Sequence, residues 1–242
     1  MSKLPNAPLL EVIFELRWKI TNKLDLDKCQ YLHGDLYSLL KSEYPHRESL
    51  LPSIIPADVL INNPVHRFRK AKNDYPLFQV GPGLLTLNTI DEKYFWDEYF
   101  KRTESLVKAF FQIYPLAENE KFQPNLLYFD FFKLDFKKEN VIDFTNKYLS
   151  LEIVQSYYKT DSLPNSFNFN LSFDTELGQF SLALNSGKNS KQEQGLILQT
   201  KINGNEYEPN IEQILSWLQN SHDFCSSLFK EMTKGELYET FK

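Results

Sequence analysis

Residues 9–18 read LLEVIFELRW, and apolar and polar side chains alternate along them. Alternation of this kind is typical of a β-strand with one buried face, because successive side chains on a strand point to opposite sides. The apolar face carries Val12, Phe14, Leu16 and Trp18. The opposite face carries Glu11, Glu15 and Arg17. The strand is therefore expected in a sheet with one apolar and one polar side.

A helix is expected to follow this strand. Asp25 or Asp27 can cap its first turn, and Pro45 stops it. Its apolar stripe consists of Cys29, Leu32, Leu36, Leu39 and Leu40. Residues 46–66 carry three prolines among apolar residues, which predicts an ordered loop packed on the body of the protein.

The rest of the first half is expected to contain three strands and a helix. The strands are placed at 67–72, 76–80 and 84–89, and the last two form a hairpin around Gly81-Pro82-Gly83. An apolar stripe from Trp96 to Tyr114 predicts the helix, which Pro115 ends.

The same order of elements then starts again. Strands are expected at 126–136, 167–173, 177–184 and 196–202, and helices at 141–151, from Asn210 and from Glu236. Each half, 1–120 and 121–242, thus has the predicted order β-α-β-β-β-α. We expect an α+β fold in which two pseudo-repeats form one compact unit, with helices packed on one face of a twisted antiparallel sheet.

Composition narrows the classes of function. The 242 residues include 27 basic and 32 acidic ones, a net charge of −5, which argues against a protein whose main partner is nucleic acid. The sequence has neither the apolar run of a signal peptide nor one long enough to span a membrane, so a cytoplasmic location is expected. Two cysteines exclude a disulfide framework.

Four residues are candidates for metal binding or nucleophilic catalysis. Cys29 and His33 are four apart on a predicted helix, and His222 and Cys225 are three apart, so each pair shares a helix face. Core packing is the favoured interpretation, because the chain has no short Cys-x2-Cys loop. Asp223 follows His222 directly and points away from it on a helix, so no catalytic residue, metal ligand or cofactor is assigned.

Phosphate binding and acid–base chemistry find little support. Gly81-Pro82-Gly83 offers two glycines inside a hairpin, and its proline lacks an amide donor, so it is interpreted as a turn. The carboxylate pairs Glu11 with Glu15 and Asp130 with Asp135 alternate among apolar strand residues. Such pairs more often mark the wet side of a sheet than a catalytic cleft.

A basic segment is the best exposed feature for binding a partner. Residues 66–72 contain Arg67, Arg69, Lys70 and Lys72 around one phenylalanine, a pattern that can contact nucleic acid. The favoured alternative is a solvated edge strand, because basic side chains there discourage sheet-to-sheet aggregation.

Three stretches carry a resemblance to a known family. They are residues 6–18, residues 76–82, and the closing Trp217, His222-Asp223 and Phe229. Together they resemble a sporadically distributed prokaryotic family of uncharacterised proteins of about 250 residues. The resemblance implies that its motif residues are structural, namely Glu11, Phe14, Glu15, Arg17, Trp217, His222 and Phe229. The patchy distribution implies a role in phage defence or in a mobile-element operon.

Three functions follow as hypotheses. The leading one is a non-enzymatic interaction subunit that self-associates or binds an operon-encoded partner through a sheet edge or an aromatic surface, since 15% of the residues are aromatic. The first alternative is a sensor that binds a small molecule or nucleotide in a cleft between the halves. The second is nucleic-acid binding through residues 66–72.

Overall fold

The computed structural model describes residues 3–52, 55–157 and 162–242. Its strands are β1 (Leu9–Trp18), β2 (His46–Ser49), β3 (His66–Arg69), β4 (Leu77–Gly81), β5 (Leu84–Thr89), β6 (Phe122–Lys133), β7 (Asn168–Thr175), β8 (Gly178–Lys188) and β9 (Gln194–Asn203). Its α-helices are α1 (Lys23–Lys28), α2 (Leu32–Leu40), α3 (Trp96–Ile113), α4 (Val141–Tyr148), α5 (Ile211–Thr233) and α6 (Glu236–Glu239). Short 3₁₀ helices lie at Ala57–Leu60 and Asp91–Lys93. The fold is therefore α+β, as predicted.

All nine strands form a single antiparallel sheet in the order β2-β3-β4-β5-β1-β6-β9-β8-β7. The first strand of each half, β1 or β6, lies at the centre, and the two pair with each other. Phe14 faces Leu126 at this central pairing, which we call the seam. Neither of these two side chains is exposed, so the halves share one core across the seam.

One face of the sheet is apolar across eight strands. Strand pairing places side by side Phe68, Phe78, Leu87, Phe14, Leu126, Ile202, Phe180 and Phe173. Helices pack against this face: Tyr37 of α2 stacks on Phe68, and Phe224 of α5 meets Phe180 edge-on. At one end of the face, Trp18 of β1 contacts Phe110 of α3 with ring centroids 4.9 Å apart. These ring contacts hold the helix layer to the sheet.

The neighbouring row of residues lies on the opposite face and is polar across all nine strands. Its members are Glu48, Arg67, Gln79, Thr86, Glu15, Asn125, Asn203, Gln179 and Asp174. The two faces follow from the period of two along each strand, which the sequence of β1 already displayed.

The region after β1 differs from the prediction. Two short helices replace the single expected one, and Asn22, rather than Asp25 or Asp27, caps the first, with its side chain accepting a hydrogen bond from the Asp25 amide. Helix α1 ends because the amides of Cys29 and Gln30 bond three residues back rather than four. Such tightening is typical of the last turn of a helix.

The prediction of a loop at 46–66 was also partly wrong. Residues 53–54 lie outside the described residues, but His46–Ser49 form β2 and pair with β3. Strand β3 ends at Arg69 and lies inside the sheet, so the interpretation of 67–72 as an edge strand was wrong. The segment between the strands predicted at 177–184 and 196–202 is shorter than expected, because the pairing of β8 with β9 extends to Lys188 and Gln194.

The two ends of the described chain meet beside the seam. The Asn6 amide donates to the Phe241 carbonyl at 3.0 Å, and the Phe131 amide donates to the Pro8 carbonyl at 2.8 Å. The leader, residues 3–8, is thereby held next to β6 and α6. In the described part of the chain, no helix combines the length and the apolar character needed to cross a membrane.

Candidate functional site

A cavity of about 730 Å³ opens on the helix-bearing face of the sheet, beside the seam. We call it the seam cavity. Tyr128 and Asp130 of β6 and Thr200 of β9 form its floor, because residues two apart on a strand share a face and Thr200 pairs with Tyr128. The start of α3 and one face of α5 form two walls, and the leader forms a third. Both halves of the chain therefore contribute to one site.

Helical spacing places the α5 residues along this wall. Counted from His222, the other three lining residues follow at three, four and seven positions, which puts all four on one helix face: Cys225, Ser226 and Phe229. His222 and Cys225 are buried, and Phe229 is half-buried. The face that sequence periodicity assigned to the core thus borders the cavity over about two turns.

Three side chains form a hydrogen-bonded ring at the base of the seam cavity. The Tyr128 hydroxyl lies 2.8 Å from His222 Nδ1 and 3.0 Å from the Tyr94 hydroxyl, which is 3.4 Å from the same nitrogen. Burial lowers the pKa of His222 to about 4, so the imidazole is neutral at pH 7. Burial raises the pKa of Tyr128 and Tyr94 far above the usual value, so both hydroxyls keep their protons.

Trp96 fixes the other side of this imidazole. The two rings stack with centroids 3.6 Å apart and planes inclined by 9°. Trp96 Nε1 donates to Gln219 Oε1 at 3.0 Å, and Gln219 Nε2 donates to Asp223 at 3.1 Å. Asp223 therefore orients Gln219 and, through it, the indole, while the imidazole nitrogen Nδ1 faces the tyrosines. These contacts hold the floor and the α5 wall in a fixed geometry.

Asp130 is the buried acid of the site. It is 6% exposed, and no side chain of the described residues donates a hydrogen bond to its carboxyl group. Burial, followed by the nearby charge of Asp91, raises its pKa to about 7. The carboxyl group therefore changes its charge near neutral pH.

Asp91 has a cationic neighbour of its own. Its Oδ1 atom lies 3.2 Å from Lys3 Nζ, an ion pair in which the angle leaves that oxygen without a hydrogen bond. The same ammonium group donates to the Asp91 carbonyl and sits 5.3 Å from the centre of the Phe95 ring. Lys3 thus ties the leader to the turn that precedes α3.

Cys225 is held as an unreactive thiol. Burial raises its pKa to about 12, and the charge of Asp130 acts in the same direction. A thiol with this pKa supplies almost no thiolate at neutral pH, and the thiolate is the nucleophilic form. Together with the neutral His222, this favours binding over nucleophilic chemistry at the seam cavity.

The basic segment 66–72, a candidate partner contact for which an edge strand was the favoured prediction, makes several contacts within the fold. Arg67 donates to Gln79 Oε1 at 3.2 Å, and Arg69 is buried and donates to the Asp74 carbonyl at 3.0 Å. Glu48 lies 3.8 Å from Arg67 and 3.5 Å from Arg69. Lys70 and Lys72 are the two exposed members, so this surface presents less free positive charge than the sequence indicated.

The motif residues of the opening strand lie away from the seam cavity. Glu11 accepts from Asn88 at 2.9 Å, and Glu15 accepts from Arg17 at 2.8 Å and from Asn125 at 3.1 Å on the polar face. Burial acts to raise the pKa of Glu15, but the hydrogen bond and charge of Arg17 outweigh it, and the pKa lies below the usual value.

The remaining motif residues lie on the apolar side. Phe14 is fully buried at the seam, and Trp217 is 3% exposed and donates to the Leu177 carbonyl at 2.7 Å. His222 and Phe229 line the seam cavity. Two of the seven motif residues therefore border the candidate site, and five belong to the sheet or the core.

The four candidate metal ligands lie in different surroundings. His33 stacks on His66 with centroids 3.9 Å apart, whereas His222 stacks on Trp96. Across residues 3–52, 55–157 and 162–242, no three His, Cys, Asp or Glu side chains come together in a way that could hold a metal ion.

The sequence analysis did not identify the acid and tyrosines of the site. Asp130 was paired with Asp135, which is instead near Lys138 at 3.4 Å. A signal did exist: residues 126, 128, 130 and 132 share one strand face, and Asp130 is the charged member of an otherwise apolar or aromatic set. A carboxyl group on the apolar side of a strand marks a special environment.

Comparison with known proteins adds no relative. No protein-family model matches the chain, and neither a curated protein nor a solved structure matches it. Membership of the prokaryotic family and a role in phage defence therefore stay predictions. The candidate function of this chain rests on the geometry of the seam cavity.

Proposed function

We propose that this protein binds a small organic molecule in the seam cavity. The observation that carries the proposal is a preformed cavity of about 730 Å³. Its floor combines a buried carboxyl group, to which no described side chain donates a hydrogen bond, with a fixed ring of hydroxyl and imidazole groups. Pockets for small molecules are typically about 300–1,000 Å³, mainly apolar, and carry a few oriented polar groups. The seam cavity has each of these properties.

The position of the cavity also supports a sensing role. Its floor and walls come from both halves of the chain, so a bound molecule touches β6, β9, α3 and α5 together. A ligand stabilises the state to which it binds more tightly. Occupancy would thereby stabilise the packing of α3 against α5 across the seam.

Trp96 provides the direct test. We would titrate a library of metabolites and nucleotides and record tryptophan fluorescence and thermal unfolding. A ligand in the seam cavity is expected to change the Trp96 emission and to raise the melting temperature. Trp96→Phe should remove the fluorescence response, because Trp18 and Trp217 lie outside the cavity lining.

A cavity-filling substitution supplies the matched control. Ala7 belongs to the leader and lines the cavity, so Ala7→Phe places a ring in the space the ligand would use. Ala183 of β8 is similarly half-buried but lies on the other face of the sheet, so Ala183→Phe should leave binding intact. Equal loss of binding in both variants, or a library without any binder, would overturn the proposal.

A second candidate function is self-association through β7, which follows the leading hypothesis from the sequence. Strand β7 lies at one end of the sheet, and its Leu171 and Phe173 side chains are 40% and 49% exposed. Two copies paired antiparallel about Leu171 would place Phe169 of each opposite Phe173 of the other. The strand contains neither lysine nor proline, the usual protection of an open edge.

Light scattering at several concentrations tests this pairing. In the proposed dimer the two Leu171 residues would lie opposite each other. Leu171→Lys would place two like charges there and should shift a dimer to monomer. Leu24→Lys is the matched control, because Leu24 is 74% exposed on α1 in the other half of the chain. A wild-type chain that stays monomeric at all concentrations would contradict self-association.

We also infer that the halves are structural repeats. Read outward from the seam, β1-β5-β4-β3 in one half corresponds to β6-β9-β8-β7 in the other, with one further strand, β2, at the first edge. In each half a long helix, α3 or α5, follows the last strand, and these two helices flank the seam cavity. The correspondence of strand order supports the inference and explains why a site lies between the halves.

A further inference from the structure

We propose that the ligand of the seam cavity is a small organic amine whose ammonium group pairs with Asp130. This inference rests on the ligand-binding function proposed above and names the chemical class of the ligand. Its starting point is a carboxyl group that lines the cavity floor, is 6% exposed and receives no hydrogen bond from a described side chain. Buried carboxylates are normally paired, because an isolated charge in a protein interior is strongly unfavourable.

Among the described residues around the cavity, none supplies the missing cation. His222 is neutral at pH 7, and its Nδ1 atom faces Tyr128 rather than Asp130. Lys3 is paired with Asp91, and Lys242 is paired with Glu239 at 2.7 Å. Lys230 also has an interaction of its own. An ammonium group brought by a ligand would therefore complete the charge balance of the floor.

The aromatic side chains around the floor favour the same class of ligand. Tyr94, Trp96 and Tyr128 border the cavity near Asp130, and aromatic faces attract ammonium groups within about 6 Å of the ring centre. The structure contains one such contact already, between Lys3 Nζ and the Phe95 ring at 5.3 Å. An ammonium group bound in the cavity would thus have aromatic rings among the lining side chains.

The walls select the carbon portion of the ligand. Leu4, Leu9 and Phe229 line the cavity beside the floor. An apolar chain or ring attached to the amine would be removed from water against these side chains, at about 25 cal/mol per Å² of buried surface. The favoured ligand is therefore an amine with an apolar body rather than a polyamine or an inorganic cation.

An anionic ligand is the main alternative, since three lysines line the cavity. A carboxylate on the floor would lie near both Asp130 and Asp91, and like charges at short range repel. The lysines already have partners, whereas the Asp130 carboxyl has none among the described side chains. The charge arrangement consequently favours the amine.

Three probes of similar shape test the inference by isothermal titration: 2-phenylethylamine, 2-phenylethanol and 3-phenylpropionate. At about pH 8, above the pKa of about 7 of Asp130, we expect the amine to bind at least about tenfold more tightly than the alcohol, the range of a charged hydrogen bond. Asp130→Asn keeps the shape of the side chain and should abolish this preference. Asp135→Asn, at a more exposed carboxyl group of the same segment, should keep it.

The wild-type chain offers a second measurement that needs no substitution. At about pH 5.5, Asp130 is protonated and the amine preference should fall to near one. Across this range His222 stays neutral, and Tyr94, Tyr128 and Cys225 stay protonated. The other charged groups around the cavity are Lys3, Asp91, Asp97, Lys230 and Lys242.

The outcomes separate this inference from the proposed function. Equal affinity for amine and alcohol, or tighter binding of the carboxylate, would overturn the amine assignment and leave ligand binding at the seam cavity standing. Failure of all three probes would also overturn the amine assignment, while the wider fluorescence library decides the proposed function independently.

Discussion

Asp130 is an ionisable residue on an otherwise apolar strand face. Burial makes its charged form unfavourable, and the raised pKa of its carboxyl group shows this. Leu126 and Phe132 on the same face of β6 are buried, whereas Asp130 is equally buried but carries an ionisable group. Its raised pKa means that folding favours the neutral acid. The residue therefore destabilises the fold at alkaline pH, a cost that is typical of binding sites rather than of core positions.

The first prediction concerns stability as a function of pH. The folded chain holds a proton on Asp130 up to a pKa of about 7, whereas the unfolded chain releases it near 3.8, so stability falls as the pH rises between these values. At about 1.4 kcal/mol per pKa unit, ionisation of Asp130 lowers the free energy of unfolding by about 4 kcal/mol over this pH range. Asp130→Asn should raise the free energy of unfolding at about pH 8, measured by urea denaturation at several pH values.

The control for this prediction is Asp135→Asn. Hydrogen bonding by the Lys137 amide lowers the pKa of Asp135, which lies at the surface, so this variant should not show the same alkaline gain. His222 and His66 act on the other side of neutrality, because burial lowers both pKa values to about 4 and stability is lost as the pH falls below about 6.5. An Asp130→Asn variant less stable than wild type at pH 8 would contradict the assignment.

Sequence reasoning reached some site residues and missed others for a definite reason. His222 and Cys225 were placed on one helix face because helical spacing is local information. The contacts of His222 with Tyr128 and Tyr94 join positions more than 90 residues apart in the chain. No periodicity within one element reports such contacts.

At the scale of single elements, the turn between β7 and β8 depends on one glycine. Gly178 has a φ angle of 118°, a conformation that side chains rarely adopt, and a Cβ atom there would collide with the main-chain oxygen of Asn203. The turn therefore fixes how β8 enters the sheet beside β9.

The second prediction compares two glycines. Gly178→Ala should lower the free energy of unfolding by at least about 2 kcal/mol through strain and collision. Gly34 lies within α2 with no atom within 4 Å of an added Cβ, so Gly34→Ala should raise it by about 0.5–1 kcal/mol through helix propensity. Urea denaturation measures both, and equal effects of the two substitutions would refute this account of the turn.

Elements with strong periodicity were predicted well, and elements defined by pairing were not. Strand β1 and helix α5 follow their predicted patterns because burial of one face imposes the period. Strand β2 is four residues long, with His46, Arg47 and Glu48 in it, and exists because β3 offers it a partner. Tertiary pairing of this kind overrides weak local preference.

At the scale of the whole molecule, the seam joins the two halves. Strands β1 and β6 pair from Leu9 with Asp130 to Trp18 with Phe122. Separation of the halves would expose the edges of two central strands, and Phe14, Leu16 and Leu126 are fully buried in the intact chain. We therefore expect the halves to fold as one unit.

The third prediction divides the chain in the exposed loop before β6. Fragments 1–118 and 119–242, expressed together, should form a stable complex that restores the seam. Each fragment expressed alone should aggregate or lack a cooperative unfolding transition, because its open central strand is apolar on one face. Size-exclusion chromatography and calorimetry provide the measurements, and a fragment that unfolds cooperatively alone would contradict it.

The sequence offered a cleft between the halves as one hypothesis, but it identified neither the order of strands across the sheet nor the full set of residues that line the seam cavity. Matching patterns in the two halves indicated an arrangement of similar units. The cavity depends on the convergence of Asp91, Asp130 and His222 with the leader, and this convergence is set by how α3 and α5 pack across the seam. Packing of that kind is a property of volumes and angles, which the pattern of apolar residues does not specify.

The hydrogen bond between Asn6 and Phe241 holds the leader wall of the cavity to the C-terminal turn, so this wall and the floor differ in how easily they open. The floor belongs to the central ladder of the sheet, which opens last, whereas the leader is held to the C-terminal turn at an exposed margin, where local opening is least costly. If the seam cavity binds a ligand as proposed, we expect the leader to govern the rates of ligand entry and escape and the floor to govern chemical preference. Substitutions in one region can alter residence time without changing which molecules are accepted.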